Sequence, residues 1–122
     1  MHVRLGCCVV LALAMLTPHA GRAANCAQEI SRLMSRDTEK LTTRYHRVAK
    51  RIQQHGATKR LIAEECRIAR RLRPRLERQI AALKQSGCAK DPHMGSMVAD
   101  IMRSHEDDLA AAQKSSARAD CR

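Results

Sequence analysis

Apolar residues recur at steps of three and four along most of the chain after residue 25, and this period constrains the fold more than any other feature. It is the period of one face of an α-helix. No useful length of chain alternates apolar and polar residues, as a half-buried strand would. The pattern divides into three segments and predicts helices over residues 26–54, 58–86 and 92–114.

Residues at the ends of these segments agree with the predicted limits. Thr58 and Asp91 are residue types that cap helix N-termini, and Pro92 suits a first helical turn. Gly56 and Gly87 suit the left-handed position that ends many helices. Because the connections are short, neighbouring helices should be antiparallel. The sequence therefore predicts an all-α fold, a small antiparallel three-helix bundle with up-down-up topology.

The N-terminus has the three parts of a secretory signal peptide. A basic start at Arg4 precedes an apolar run and a site of small residues, and we place cleavage after Ala23 with Gly21 at the minus-three position. The apolar run of about a dozen residues is shorter than the roughly 20 that span a bilayer. We therefore predict a signal peptide over 1–23, a single helical domain over 24–122, and export to the periplasm or outside the cell without a transmembrane segment.

The predicted domain has a thin core and four cysteines. The chain contains one Tyr and neither Trp nor Phe, so the core must be mainly aliphatic. Small cores of this kind usually need covalent ties. An even number of cysteines in an exported chain predicts disulfides, and the spacing lacks the close pairs typical of zinc sites. The four residues are Cys26, Cys66, Cys88 and Cys121.

Helix lengths decide how these cysteines pair. Cys66 and Cys88 would lie roughly 33 Å apart along the second helix, whereas a disulfide holds two Cα atoms about 6 Å apart. Cys26 and Cys66 would lie at opposite ends of the bundle, again roughly 30 Å apart. The remaining solution joins Cys26 to Cys88 and Cys66 to Cys121. The second bond requires the C-terminal tail to fold back onto the second helix.

The chain is strongly basic, with 23 Lys and Arg against 12 Asp and Glu and a net charge of +11. Loss of Arg4 and Arg22 with the signal peptide lowers the net charge by two, to +9. Helical phase places many arginines opposite the apolar stripes of the first two helices. The candidate polyanion-binding residues are Arg32, Arg36, Arg47, Arg67, Arg70, Arg71 and Arg78.

This basic face predicts association with acidic partners. In a cell envelope these are lipopolysaccharide, anionic lipid, acidic polysaccharide or an acidic protein. Specific recognition of single-stranded nucleic acid would require aromatic stacking platforms, and Tyr45, the one aromatic candidate, falls on the apolar stripe. The alternative interpretation is that the arginines only keep the outer face of a small helical protein solvated.

Three ionisable residues fall near the apolar stripes at one level of the predicted bundle: Asp37, Arg75 and His105. We predict a hydrogen-bonded polar layer that sets the register of the helices. The alternative is a pH-sensitive switch or a catalytic site at Asp37 and His105. No serine or free cysteine accompanies them as a nucleophile and no glycine-rich phosphate loop is present, so we do not expect an enzyme.

The third segment is rich in soft ligand types. His93, Met94, Met97, Met102 and His105 could bind copper in an exported protein. However, methionines on a core stripe commonly fill space in a protein that lacks phenylalanine. The sequence thus favours a protein without a cofactor, and copper binding is kept as an alternative function.

Together these features lead to one hypothesis of function. The chain has the character of a small exported non-catalytic helical protein, a binding or structural component of the cell envelope. Its basic face would meet acidic partners.

Overall fold

The computed structural model describes the backbone of residues 18–121 and the side chains of residues 25–121, except that of Ala119. Residues 1–17 of the predicted signal peptide lie outside the described part of the chain. The described part is all-α, as the sequence predicts, and contains four α-helices and two single 3₁₀ turns. The α-helices are α1 (Pro18–Leu33), α2 (Arg36–His55), α3 (Lys59–Ser86) and α4 (Gly95–Ala117), and the turns are Cys88–Lys90 and Ala119–Cys121.

The helices form a bundle with an up-down-up path whose first arm consists of two helices. α1 packs near the C-terminal half of α3, where Ile30 meets Leu83. α2 packs against the N-terminal half of α3, where Leu41 belongs to the same core cluster as Leu72. α3 therefore runs antiparallel to the first arm, and α4 returns beside it.

The predicted first helix over 26–54 is wrong in one respect, because the chain breaks between α1 and α2. Ser35 has extended backbone angles, and its side-chain oxygen accepts a hydrogen bond from the backbone N–H of Thr38 at 3.5 Å. Asp37 and Glu39 follow in the first turn of α2, where negative charge suits the positive end of the helix dipole. A serine cap followed by acidic residues is a helix start, and it competes successfully with continuation of α1.

The third predicted helix corresponds to α4. It begins at Gly95 and not, as the sequence predicts, at residue 92. The Asp91 carboxylate accepts hydrogen bonds from the backbone N–H groups of His93 and Met94, both at 2.9 Å, and so caps a turn that precedes the helix. Gly95 is buried there, and a Cβ atom would lie 2.6 Å from the backbone oxygen of Ala89. This close approach requires glycine at the start of α4.

Two hydrophobic clusters make up the core, one in each half of the bundle. The upper cluster joins α2, α3 and α4, and its members are Leu41, Tyr45, Val48, Ile68, Ala69, Leu72, Leu76 and Ala112. The lower cluster joins α1, α3, α4 and the first 3₁₀ turn through Ile30, Leu83, Cys88 and Val98. Apart from Tyr45 the core is aliphatic, as the composition requires.

Both predicted disulfides are present, one at each end of the bundle. Cys26 pairs with Cys88 and Cys66 pairs with Cys121, with Cα atoms 5.7 and 5.5 Å apart. The tail folds back onto α3 as the second pairing requires. Arg118 adds a hydrogen-bonded ion pair with the buried carboxylate of Glu65 at 3.0 Å.

Among the described residues, no helix is both long and apolar enough to cross a membrane.

Removal of either disulfide should strongly destabilise the fold. The bonds join residues 62 and 55 positions apart, and closing loops of this length stabilises by about 4 kcal/mol in the chain-entropy model. We expect the Cys26→Ala/Cys88→Ala and Cys66→Ala/Cys121→Ala variants each to lose about this much free energy of unfolding. Urea unfolding followed by circular dichroism measures the loss, and a change below about 1 kcal/mol would contradict the expectation.

Tyr45 should stabilise the bundle through its hydroxyl as well as its ring. The hydroxyl lies 2.7 Å from Ser115 Oγ in a buried contact between α2 and α4. Burial is the main cause that raises the pKa of Tyr45 above 10.0, so the group is neutral and can donate. Tyr45→Phe should cost about 1 to 2 kcal/mol because Ser115 loses a buried partner. In a double-mutant cycle with Ser115→Ala, additive losses would show that the two hydroxyls do not interact.

Candidate anion-binding surface

Basic side chains form a row along α2. They recur at steps of three or four residues, so they share one flank of the helix, and all are exposed. Leu41, Tyr45 and Val48 are buried on another side of α2. The members of the row are Arg36, Lys40, Arg44, Arg47 and Arg51.

A second row follows α3. Around the helix axis, at 100° per residue, its members lie about 60 to 140° from Leu72, all on the same side. Four are exposed and Arg75 is half-buried. The row comprises Arg60, Arg67, Arg71, Arg75 and Arg78.

The contacts of α3 show which flank carries this row. Arg73 donates to Ser116 Oγ of α4 at 3.0 Å, and Lys84 lies 3.8 Å from Glu106 of α4. Both residues lie on the opposite side of Leu72 from the arginine row. The row therefore occupies the flank of α3 that faces away from α4.

The other flank of α3 meets the first arm of the bundle. Arg75 and Arg78 line a cavity of about 280 Å³ together with Ser35 and Thr38 at the start of α2. On α2, the flank that carries His46 meets α4, since His46 Nε2 lies 2.9 Å from Asp108 Oδ1. The row on α2 lies on the flank away from that contact. By helical phase the two rows therefore lie on the neighbouring flanks of α2 and α3, and we call the surface between them the basic groove. Arg75 and Arg78 are the members of the rows that line the cavity beside α2, and four members of the α2 row line a second cavity of about 500 Å³ on α2 itself.

The cations of the basic groove have no ion-pair partners in the described part of the chain. No carboxylate oxygen there lies within 4.0 Å of any of the ten side chains. Three acids lie near the rows without pairing to them: the half-buried Glu64 on the same flank of α3, and Asp37 and Glu39 in the first turn of α2. The ten cations outnumber these acids and repel each other, so a multivalent anion bound between the rows would relieve that repulsion.

Four acidic side chains lie on α4, and three of them contact basic side chains. Asp100 lies 3.5 Å from Arg103 on its own helix, while Glu106 and Asp108 contact Lys84 and His46. The fourth is Asp107. Unlike the cations of the two rows, these basic groups near α4 therefore have an acidic neighbour.

Most of the predicted anion-binding residues belong to the groove. Arg36, Arg47, Arg67, Arg71 and Arg78 lie in the two rows, and all are exposed. Two predicted members lie elsewhere by helical phase, although both are exposed. Arg32 is on α1 on the side away from buried Ile30, and Arg70 projects outward from α3, almost opposite Leu72.

The predicted anion-binding residues lack five members of the rows, Lys40, Arg44, Arg51, Arg60 and Arg75. Phase relative to the apolar stripe identifies the outer face of each helix but not the side on which its neighbour lies. The step of three or four residues that links Arg44 and Arg51 to Arg47 was the available signal.

A polar layer separates the two core clusters, but its members differ from the predicted ones. The buried Gln79 side chain donates from Nε2 to Met34 Sδ at 3.1 Å and lies 2.9 Å from His105 Nε2. In this orientation the imidazole accepts and carries its proton on Nδ1. If His105 Nε2 also carried a proton, its N–H group would face an N–H group of Gln79, and two donors cannot form a hydrogen bond. Gln79 falls between Leu76 and Leu83 on the apolar stripe of α3, and this position in the sequence indicates a buried polar residue.

Two of the three residues predicted for this layer are placed differently. Asp37 is exposed in the first turn of α2, and Thr38 is buried instead. The prediction of a buried Asp37 is wrong because the chain breaks at Ser35 and leaves this residue in the exposed first turn of a new helix. Arg75 lies at the cavity beside Gln79 and joins the basic groove. His105 alone takes part in the observed hydrogen bonds.

The five soft ligand types of the third predicted segment are divided among different surroundings. Met94 and Met102 pack against the lower core cluster, whereas His93 and Met97 are exposed. His105 is bonded to Gln79. No cluster of three or more His, Cys, Asp or Glu side chains suited to a metal occurs among the described residues.

Comparison with protein-family models, with curated proteins and with solved structures finds no significant match. The function of the basic groove is therefore argued from its own residues.

The polar layer should make stability depend on pH through His105. Burial lowers the pKa of its imidazole below the ordinary 6.5, and the nearby Asp108 carboxylate partly offsets this. Between the lowered value and 6.5 the unfolded chain binds more protons than the folded one, so the free energy of unfolding falls as pH decreases through this window. His105→Gln should remove that part of the decrease, measured by urea unfolding between about pH 7 and 5.

The same substitution at exposed His93 is the matched control and should keep the pH profile of the original protein. Parallel profiles for the original protein and the His105→Gln variant would show that His105 does not cause the dependence.

Proposed function

We propose that this protein is a small exported, non-catalytic binding component of the cell envelope that holds acidic partners in the basic groove. The observation that carries the proposal is the pair of cation rows, ten side chains in all, on the neighbouring flanks of α2 and α3. Scattered charges would suffice for solubility. Two neighbouring rows without carboxylate partners add repulsion between α2 and α3, which is a cost that binding of an anion would offset.

Export is supported by the two disulfides. Such bonds persist in oxidising compartments and are rare in a reducing cytosol. They fit the predicted signal peptide over residues 1–23 and a destination in the periplasm or outside the cell.

A non-catalytic role is supported by the arrangement of the predicted acid-base pair. Asp37 is exposed at the start of α2, whereas His105 is engaged by Gln79 in the layer between the core clusters. The observed contacts of His105 suit a structural role in the polar layer better than proton transfer to a substrate.

Charge removal inside the groove should weaken binding to heparin and to lipopolysaccharide. Arg44, Arg47, Arg67 and Arg71 are changed together to Gln. If about five ion pairs form, the original protein should lose on the order of 100-fold in affinity between about 50 and 200 mM salt, and the variant should show a clearly smaller salt slope. Titration by fluorescence anisotropy with a labelled polyanion measures both quantities.

The matched control removes the same charge outside the groove, at Lys84, Lys90, Arg103 and Lys114, all exposed. This variant should keep most of the affinity. Equal losses in the two variants would show that only net charge matters, and absence of binding in the original protein would contradict the proposal.

A further inference from the structure

The dimensions of the basic groove restrict the shape of what it can hold. At 1.5 Å per residue, the row on α2 from Arg36 to Arg51 spans about 22 Å and the row on α3 from Arg60 to Arg78 about 27 Å. Packed helices are commonly 8–10 Å apart between axes. The groove is therefore long and narrow, with cations on both of its borders.

The chemistry of the borders favours anionic groups that can accept two hydrogen bonds at once. Nine of the ten cations are arginine, and the other is Lys40. Guanidinium groups bind carboxylate, sulfate and phosphate through two parallel hydrogen bonds, which a lysine cannot do. Successive cations in a row are about 4 to 6 Å apart along the helix axis, except for a gap of about 10 Å between Arg60 and Arg67, so a ligand with regularly repeated anionic groups can meet several of them.

A lipid surface fits this groove less well. Membrane-binding faces carry large apolar side chains next to their cations. Among the described residues, the exposed large hydrophobic side chains are Met34 and Met97. Met34 lies at the junction of α1 and α2, where it contacts Gln79, and Met97 is on α4. One exposed methionine near one end of the groove is less than the several large apolar side chains that a membrane-binding face carries.

Nucleic acids also fit less well. Single strands are usually held by stacking of bases on exposed aromatic rings, and Tyr45 is buried in the upper core. A duplex is usually read by an element that enters its major groove. Here α2 and α3 lie side by side, and their cations border the surface between the two helices. They are not carried by a single helix that projects from the protein.

We infer that the ligand of the basic groove is a linear acidic polysaccharide that lies lengthwise between α2 and α3. This inference rests on the proposed function and specifies its partner. A single polymer chain in the groove meets guanidinium groups from both borders, so each of its anionic groups can be paired on either side. A compact anion of equal charge reaches only a short part of the two rows.

A series of heparin fragments of increasing length tests the lengthwise arrangement. Affinity and salt slope should rise with fragment length until the fragment spans about 22 to 27 Å and then level off. Inositol hexakisphosphate serves as the compact polyanion and should bind at least about tenfold more weakly than the longest fragment, since fewer contacts form.

Variants at the two ends of the groove sharpen this test. Arg36→Gln/Arg78→Gln removes the cations at one end, and Arg51→Gln/Arg60→Gln removes those at the other. Each variant should bind the longest fragment about fivefold more weakly, because two ion pairs are lost. A fragment that covers half the groove should be little affected by either variant, since it can occupy the intact end.

The outcomes separate this inference from the proposed function. Affinity independent of fragment length, or equally tight binding of the compact anion, would overturn the lengthwise arrangement and leave anion binding intact. Tighter binding to duplex DNA or to phosphatidylglycerol vesicles than to the longest fragment would overturn the choice of polysaccharide. Absence of binding to every one of these probes would overturn both.

Discussion

The packing of α2 against α3 is the contact on which the rest of the molecule depends. Neither disulfide includes a residue of α2, so this helix is held by its short connections and by noncovalent contacts. Leu41, Tyr45 and Val48 supply the buried surface, and the Tyr45 hydroxyl reaches Ser115 on α4. These contacts act against the repulsion between two rows of cations. The groove exists only while the aliphatic packing and this hydroxyl pair outweigh that repulsion.

The helical architecture and the pairing of the cysteines could be predicted because each depends on distances along the chain. A helix of known length excludes cysteine pairs that are too far apart, and this reasoning tolerates small errors in helix ends. The break at Ser35 could not be seen in the apolar period alone. Met34 and Leu41 are seven residues apart and fit one continuous helix as well as two. The local evidence was a serine cap with acidic residues after it, which apolar counting does not use.

The candidate site was predictable only in part for a related reason. A residue's phase on its own helix tells whether it points away from the core, and this was enough to select Arg47 and Arg71. It does not tell which neighbouring helix lies beside it. Arg75 was assigned to the core layer because of its position on α3, yet it borders the groove next to the start of α2. Gln79 is not selected by a search for ionisable residues near the apolar stripes, although its amide can fill a buried polar position without the cost of a charge.

The two rows of cations have a consequence for the rate at which a proposed partner would arrive. Unpaired cations on neighbouring flanks of α2 and α3 make that side of the bundle attractive to anions, so their field would turn the molecule as it nears a large anion. Encounters would then begin with the arginine rows facing the polymer. Steering of this kind speeds capture at low ionic strength and fades as salt screens the field. A protein built in this way would respond to the salinity of its surroundings through how quickly it binds as well as through how tightly.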